Sequence, residues 1–336
     1  MDTIVNENIC SAICASRPHI KHSTIKMYES NLRKLQAIFD ADNYEFLVDI
    51  DAVKQKVRHL HYTSQRNHFN AIIVLLMAID GKSDLIKQYS AVRDELNEKY
   101  VAEQQSGTIS DKQAANFASI DEIKGMLAAM KSEINFRKLK KKDELSSKDQ
   151  ELLQAYVIFS ILLRIPLRND LSGMRTTTTR ELNRIPTEER EQTNYLVVEK
   201  NSMRFVLNEY KTSRKYKEKT LHIPKDLERI LRMYLKMKGA PVVLFTTPTG
   251  RVLSRNAVCR LLTKTSEHHL GKAVGSTMMR KIVASDLLKD VTKVEQELSH
   301  KMGTDISTIK AIYVKKHASE HHEVSTSVEG DDVPPS

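Results

Sequence analysis

Apolar residues recur at a helical period along most of the chain and change to strand-like alternation in one central stretch. Ile25, Tyr28, Leu32, Leu35 and Ile38 form the first stripe, with Ser23 as its N-cap, and their spacing predicts an amphipathic helix. Helices are expected next around Asp49 to Leu60, from Thr63 to Ile79 with Gly81 as a stop, and from Ser83 to about Glu98. The helix from Thr63 to Ile79 is split in character. Gln65, Arg66, His68 and Asn70 occupy its first half, and Ile72, Ile73, Leu75, Leu76 and Ile79 fill its second.

From Ala102 to Ala118 the chain is polar, contains Gly and Ser and has no sustained period, so it reads as a linker. Ser119-Ile120-Asp121-Glu122 has the form of a helix start, and the helix is expected to run to Lys138. Leu152 to Leu163 is nearly all apolar and of helix length, which marks it as the central buried helix of a second domain. After Arg164-Ile165-Pro166 the period becomes that of strands at Tyr195 to Glu199, Arg204 to Tyr210 and Thr220 to Ile223, a three-stranded meander. Helix returns over Pro224 to Met237. A short extended pair, Val242 to Phe245 with Val252-Leu253, flanks Pro248-Thr249-Gly250, and Ser254 caps a helix through Thr265. The fold class expected is mainly α with a small antiparallel β-sheet. Its parts are a helical domain over residues 1–101, a linker over 102–118, a mixed domain over 119–316 and a disordered polar, acidic tail over 317–336.

Charge narrows the range of partners. Among 336 residues, 53 Lys and Arg outnumber 43 Asp and Glu, a formal net charge of +10, which favours an anionic partner without identifying it. No apolar run approaches the roughly 18 residues that span a bilayer, and the N-terminus lacks the layout of a signal peptide. A soluble, intracellular protein without membrane association is expected. Cys10, Cys14 and Cys259 cannot all pair and have no His or Cys partner at zinc spacing, so they read as reduced thiols with no metal site. His268-His269 and the group His317, His321 and His322 lack a fixed acidic or Cys partner and read as solvated.

Near the C-terminus, Met302, Ile306, Ile309 and Tyr313 recur at the spacing of one buried helical face, and by that pattern alone Tyr313 is a core residue. The segment from Leu298 to Lys316 also resembles the terminal motif of the tyrosine recombinases, the phage-type integrases. Gly303 fills the glycine position of that motif, Thr304 stands where the family usually has His or Trp, and Tyr313 follows nine residues later. Three further segments resemble family motifs in the same order. Pro166-Leu167-Arg168-Asn169-Asp170 is similar to the first arginine motif, in the form found in divergent recombinases of large DNA viruses and eukaryotic mobile elements. Read locally, Arg168 could equally end a helix and pair with Asp170, and Arg164 is a rival for the register. Lys211, at the end of a predicted strand, resembles the lysine of the family's hairpin turn, which it shares with Arg214 and Lys215. Gly275-Ser276-Thr277-Met278-Met279-Arg280 resembles the second arginine box, with Thr277 in the histidine position.

The chemistry explains why these residue types belong together. Attack of a tyrosine on a phosphodiester needs cations on the non-bridging oxygens and a proton for the departing 5′ oxygen. Arginine offers a permanently charged fork for the first role and lysine a mobile ammonium for the second. The resemblance implies a site-specific DNA recombinase or integrase that works through a 3′-phosphotyrosine link and serves a viral or mobile genome. Tyr313 would be the nucleophile, Arg168 and Arg280 the phosphate clamp and Lys211 the acid, with Thr277 and Thr304 as neutral contacts. It further implies double-stranded DNA as partner, a homotetramer on paired sites, no cofactor and a helical first domain that closes over DNA. Arg66, His68 and Asn70 are expected to face that DNA, as are Arg214 and Lys215. The host decides between nucleus and cytoplasm. Two rivals remain: a type IB topoisomerase, and a catalytically silent DNA-binding protein of the same fold.

Overall fold

The computed structural model describes residues 9–78, 83–107 and 109–308, apart from the side chains of Lys112 and Ser307. Tyr313, the helix stop at Gly81 and the tail 317–336 lie outside the described residues. The chain divides into two compact units, one ending at Ser110 and the other beginning at Asp111.

The first unit is built from α1 (Ile9–Ser16), α2 (His22–Phe39), α3 (Ile50–Val57), α4 (Tyr62–Met77) and α5 (Ser83–Gln105). The stripe anticipated on α2 is buried at Ile25, Leu32 and Leu35, although Lys21 rather than Ser23 occupies the N-cap position. Asp49 caps α3, its carboxylate accepting from the backbone N–H of Ala52 at 2.9 Å. The second half of α4, Ala71 to Leu76, is buried on every side, because α1, α2 and α5 all pack against this helix. Tyr89 of α5 is fully buried and donates its hydroxyl to the carbonyl of Leu47, which satisfies a polar atom that would otherwise be stranded in the core.

The second unit begins within the stretch read as a linker. There α5 runs on to Gln105, and α6 (Asp111–Asn116) follows. This short helix docks through polar side chains rather than an apolar face: Asn116 Oδ1 accepts from the N–H of Ala273 at 2.7 Å, and Gln113 Oε1 from Lys281 Nζ at 2.6 Å. A search for apolar periodicity cannot see such an attachment. Next come α7 (Ile120–Phe136) and α8 (Ser147–Arg164). The first is opened by the capping box expected at Ser119, with Ser119 Oγ accepting from Glu122 N–H and Glu122 accepting from Ser119 N–H.

The central helix α8 is buried almost continuously from Leu152 to Leu162. It is surrounded by α7 and by three later helices, α12 (Lys225–Met237), α13 (Arg255–Leu270) and α14 (Ser276–Met302), with the one-turn α15 (Ile306–Thr308) beyond. Each large aliphatic or aromatic side chain buried on α8 contributes roughly 1.5–3 kcal/mol, so α8 sets the position of whatever leaves its two ends.

Between α8 and α12 lies a four-stranded sheet in the order β1 (Arg175–Thr177), β2 (Tyr195–Val198), β3 (Met203–Leu207) and β4 (Lys219–His222). The one-turn helices α9 (Thr179–Leu182), α10 (Thr187–Arg190) and α11 (Ser213–Tyr216) sit in its connections. The antiparallel meander β2–β3–β4 is as anticipated, but β1 pairs parallel to β2, so the sheet is mixed rather than purely antiparallel. β1 is three polar residues with no alternation, which leaves no apolar signal to read, and its side away from β2 is bridged at Arg175 to Val243, with Thr176 N–H donating to the carbonyl of Val242 at 2.9 Å. Both faces of the middle strands are covered. Leu196, Met203, Phe205 and Leu207 join the main core, while Tyr195, Val197 and Val206 pack with Leu182 in a smaller cluster on the other side.

Candidate active site

At the C-terminal end of α8 the chain turns at Pro166, and a single 3-10 turn, Asn169–Leu171, buries Asp170 and Leu171. Arg168 stands immediately before that turn with an exposed side chain that has no hydrogen-bond partner among the described residues. Arg164, the rival for the register, is committed elsewhere. Its guanidinium pairs with Asp226 at the start of α12 and donates to the carbonyl of Ser160 at 3.0 Å. Of the two arginines, only Arg168 has an exposed side chain.

Three arginines gather around Asp170. Burial pushes its carboxyl pKa up, while Arg255, Arg168 and Arg280 pull it back down, joined by the backbone N–H of Arg168. Arg280 lies in the second turn of α14 and donates Nε to the carbonyl of Pro166 at 3.1 Å, so it is fastened to the loop that carries Arg168. Arg255 opens α13 and donates to Glu209 Oε1 at 3.3 Å. The start of α14 lies against α13, where a Cβ on Gly275 would meet Cys259 Sγ at 3.4 Å and Thr263 Cγ2 at 3.6 Å. Thr277 is exposed in the first turn of α14, three residues before Arg280 and hence on the same face.

Asn194 joins this cluster to the sheet. Its Nδ2 donates to the carbonyls of Asp170 and Glu209, both at 2.9 Å, and its Oδ1 accepts from the N–H groups of Asn208 and Glu209, both at 2.9 Å. Lys211 follows two residues after Glu209, exposed on the turn between β3 and β4. That turn also carries Arg214 and Lys215, and it is pinned where the buried Tyr210 donates its hydroxyl to the carbonyl of Lys217 at 2.8 Å. Arg168 and Arg280 are thereby brought together, with the strand end that carries Lys211 clasped to the same loop. Asn194 and Arg255 were not anticipated. Asn194 lies in a polar turn before β2, and nothing local separates it from an ordinary turn asparagine.

Other expected residues are placed elsewhere. α14 continues without a break from Ser276 to Met302, and Gly303 ends it in the left-handed conformation. The 22 residues from Arg280 to Met302 correspond to about 33 Å of helix. Thr304 thus lies far along the helix from Arg280, and its hydroxyl donates to the carbonyl of Met302 at 3.2 Å. In the first unit, His68 is buried, with Nδ1 3.2 Å from the carbonyl oxygen of Asn31, and burial lowers its pKa. Arg66 stacks on Tyr100, its guanidinium carbon 4.0 Å from the ring centroid, and donates to Asn97 Oδ1. Asn70 accepts from Arg93. All three make contacts within their own unit. His68 is thus turned into the core, whereas Arg66 and Asn70 remain half-exposed.

No helix among the described residues is long and apolar enough to cross a membrane. No protein-family model matches the chain, and no curated protein matches it. Among solved structures, the chain is similar to XerA recombinase at 15% identity and a TM-score of 0.36, over 93% of this chain and 94% of that one. It is similar to the XerH site-specific recombinase bound to difH substrate in a pre-cleavage complex, at 13% identity and a TM-score of 0.44, over 88% and 77% of the two chains. The post-cleavage complex of XerH with palindromic difH gives 14% identity and a TM-score of 0.47, over 86% and 75%.

Proposed function

We propose that the protein breaks and rejoins double-stranded DNA through a covalent tyrosine link, as a site-specific recombinase of a viral or mobile genome. The observation that carries this reading is the joining of Arg168 and Arg280 at one loop, with Arg280 held on the carbonyl of Pro166. Two guanidinium forks at one exposed spot suit the non-bridging oxygens of a phosphodiester, whose charge grows as the phosphorus becomes pentavalent. The first turn of α14, exposed at Thr277, adds backbone N–H groups to the same region. Asp170 lies behind the arginines as a buried counter-charge.

In the proposed reaction Tyr313 gives its phenolic proton to solvent water and attacks phosphorus. The bond from phosphorus to tyrosine oxygen forms as the bond to the 5′ oxygen breaks, and Lys211 supplies the proton that oxygen takes. Attack by the 5′ hydroxyl of another strand reverses the step, and paired sites would be held by a homotetramer. The family resemblance, rather than any described contact, supports the role of Tyr313. Thr304 is given no place at the phosphate.

Nicked duplexes from the DNA flanking the gene test the proposal, because cleavage then releases a short fragment and traps the adduct. A band of protein joined to DNA on a denaturing gel, present for the wild type and missing for Tyr313→Phe, is the expected result. The distance of Thr304 from Arg280 favours one rival, a DNA-binding protein that does not cleave. Tight binding with no adduct from either protein would select it, and relaxation of any plasmid by dilute protein would select a topoisomerase.

A further inference from the structure

At the opposite end of α8 from Arg168 lies a cleft of about 760 Å³ between the Leu139–Lys141 turn and the last turn of α12. Gln150 on its wall and Arg164 at the other end of α8 are 14 residues apart, about 21 Å along the helix, so this cleft is separate from the arginine cluster. Lys140, Lys142, Lys236 and Lys238 line it, together with Asp143 and Glu144. Lys142 is already committed, with Nζ 2.6 Å from Asp149 Oδ2. Lys140, Lys236 and Lys238 pair with no carboxylate among the described residues.

Lys236 and Lys238 stand at the C-terminal end of α12, where the helix dipole welcomes positive charge. That accounts for Lys236, which is exposed. It does not account for Lys238, which is drawn partly below the surface. Burial lowers its pKa with nothing to oppose the shift, so the ammonium has lost water without gaining an anion. The chain beyond it bends sharply, with Gly239 and Ala240 both at positive φ, and this holds the Lys238 end of the helix against the cleft. With Lys142 paired to Asp149, the three remaining lysines outnumber Asp143 and Glu144, and this net positive charge favours a compact, highly charged anion over a metal ion.

We propose that this cleft binds a run of phosphates, held by Lys140, Lys236 and Lys238, and that it is distinct from the phosphate site at Arg168 and Arg280. Its volume lies in the range of small-ligand pockets, about 300–1,000 Å³. The phosphates could belong to a free polyphosphorylated molecule such as a nucleoside triphosphate, or to the backbone of a nucleic acid. The chemistry of the site is the same for both.

Calorimetric titration of the full chain with inorganic tripolyphosphate, without divalent metal, tests this. Binding should persist in the double variant Arg168→Ala/Arg280→Ala and weaken about 10- to 100-fold in Lys238→Met, as expected for lost hydrogen bonds to a charged ligand. Lys238→Arg should retain most of the affinity, and the exposed Lys236→Gln should weaken it without disturbing the fold. Tripolyphosphate affinity indifferent to Lys238 and Lys236, or abolished by the arginine substitutions alone, would overturn the proposal. A duplex added as competitor then distinguishes the sources. Displacement that depends on Lys238 assigns the phosphates to nucleic acid, and failure to displace assigns them to a free ligand.

Discussion

Arg280 and Pro166 are joined by a hydrogen bond of 3.1 Å from the guanidinium Nε to the carbonyl oxygen. The bond occupies Nε, so a bidentate grip on phosphate by Arg280 would have to use its two terminal nitrogens. It also places the second turn of α14 two residues from Arg168.

Arg280→Lys keeps the charge and removes both the fork and the Nε bond. Adduct formation on nicked duplexes is expected to fall about 100-fold or more, the size of losing an oriented donor to a developing oxyanion. Overall DNA affinity, measured by gel shift, should change by less than about threefold, because long-range charge is retained.

Asn194 is a positioning residue, and its removal should act through others. Asn194→Ala strips four hydrogen bonds from a buried site and is expected to cost about 2–4 kcal/mol in urea unfolding. In protein that remains folded, adduct formation should decline because Lys211 and Arg168 lose their common anchor, and the pH profile of the remaining activity should be unshifted.

Thr304→Val should leave adduct formation within about threefold of wild type, since about 33 Å of helix separates it from Arg280. A loss comparable to that of Arg280→Lys would mean that α14 bends when DNA is bound.

Asp149 supplies a test with a definite sign. It is buried, and hydrogen bonds from Lys142, Ser146 and Arg137, against the opposing effect of burial, hold its pKa at about 2. A carboxylate depressed on folding contributes stability above its unfolded value near 4, and that contribution is lost as pH falls through the folded value. Stability on the order of 2 kcal/mol should therefore disappear between about pH 4 and pH 2, and Asp149→Asn should flatten that part of the curve in urea unfolding.

The central helix was legible because eleven consecutive residues, Leu152 to Leu162, are buried with hardly a polar interruption. The meander was legible because Leu196, Phe205 and Leu207 alternate with residues of the opposite face. β1 was not legible, since Arg175, Thr176 and Thr177 are three polar residues placed by their pairing with β2 and their bridge to Val243 rather than by any apolar alternation. α6 escaped for a related reason, being held by Gln113 and Asn116 rather than by a stripe. At the site, arginines can be singled out from sequence because few other groups hold phosphate in this way. Asn194 cannot, because its importance lies in which two distant carbonyls it reaches. His68 shows the converse: a polar residue in a polar half-helix is buried when the carbonyl of Asn31 is there to receive it.

The unbroken run of α14 from Ser276 to Met302 has a consequence for how the C-terminal end can vary. Along a straight helix each residue turns the chain by about 100° as well as advancing it by about 1.5 Å. Deleting a single residue between Ala284 and Leu298 would shorten the arm hardly at all, yet it would swing Gly303 and everything after it to a different compass bearing. Removing seven residues would nearly restore the heading and draw the arm in by about 10 Å. In this part of the protein direction is more fragile than length.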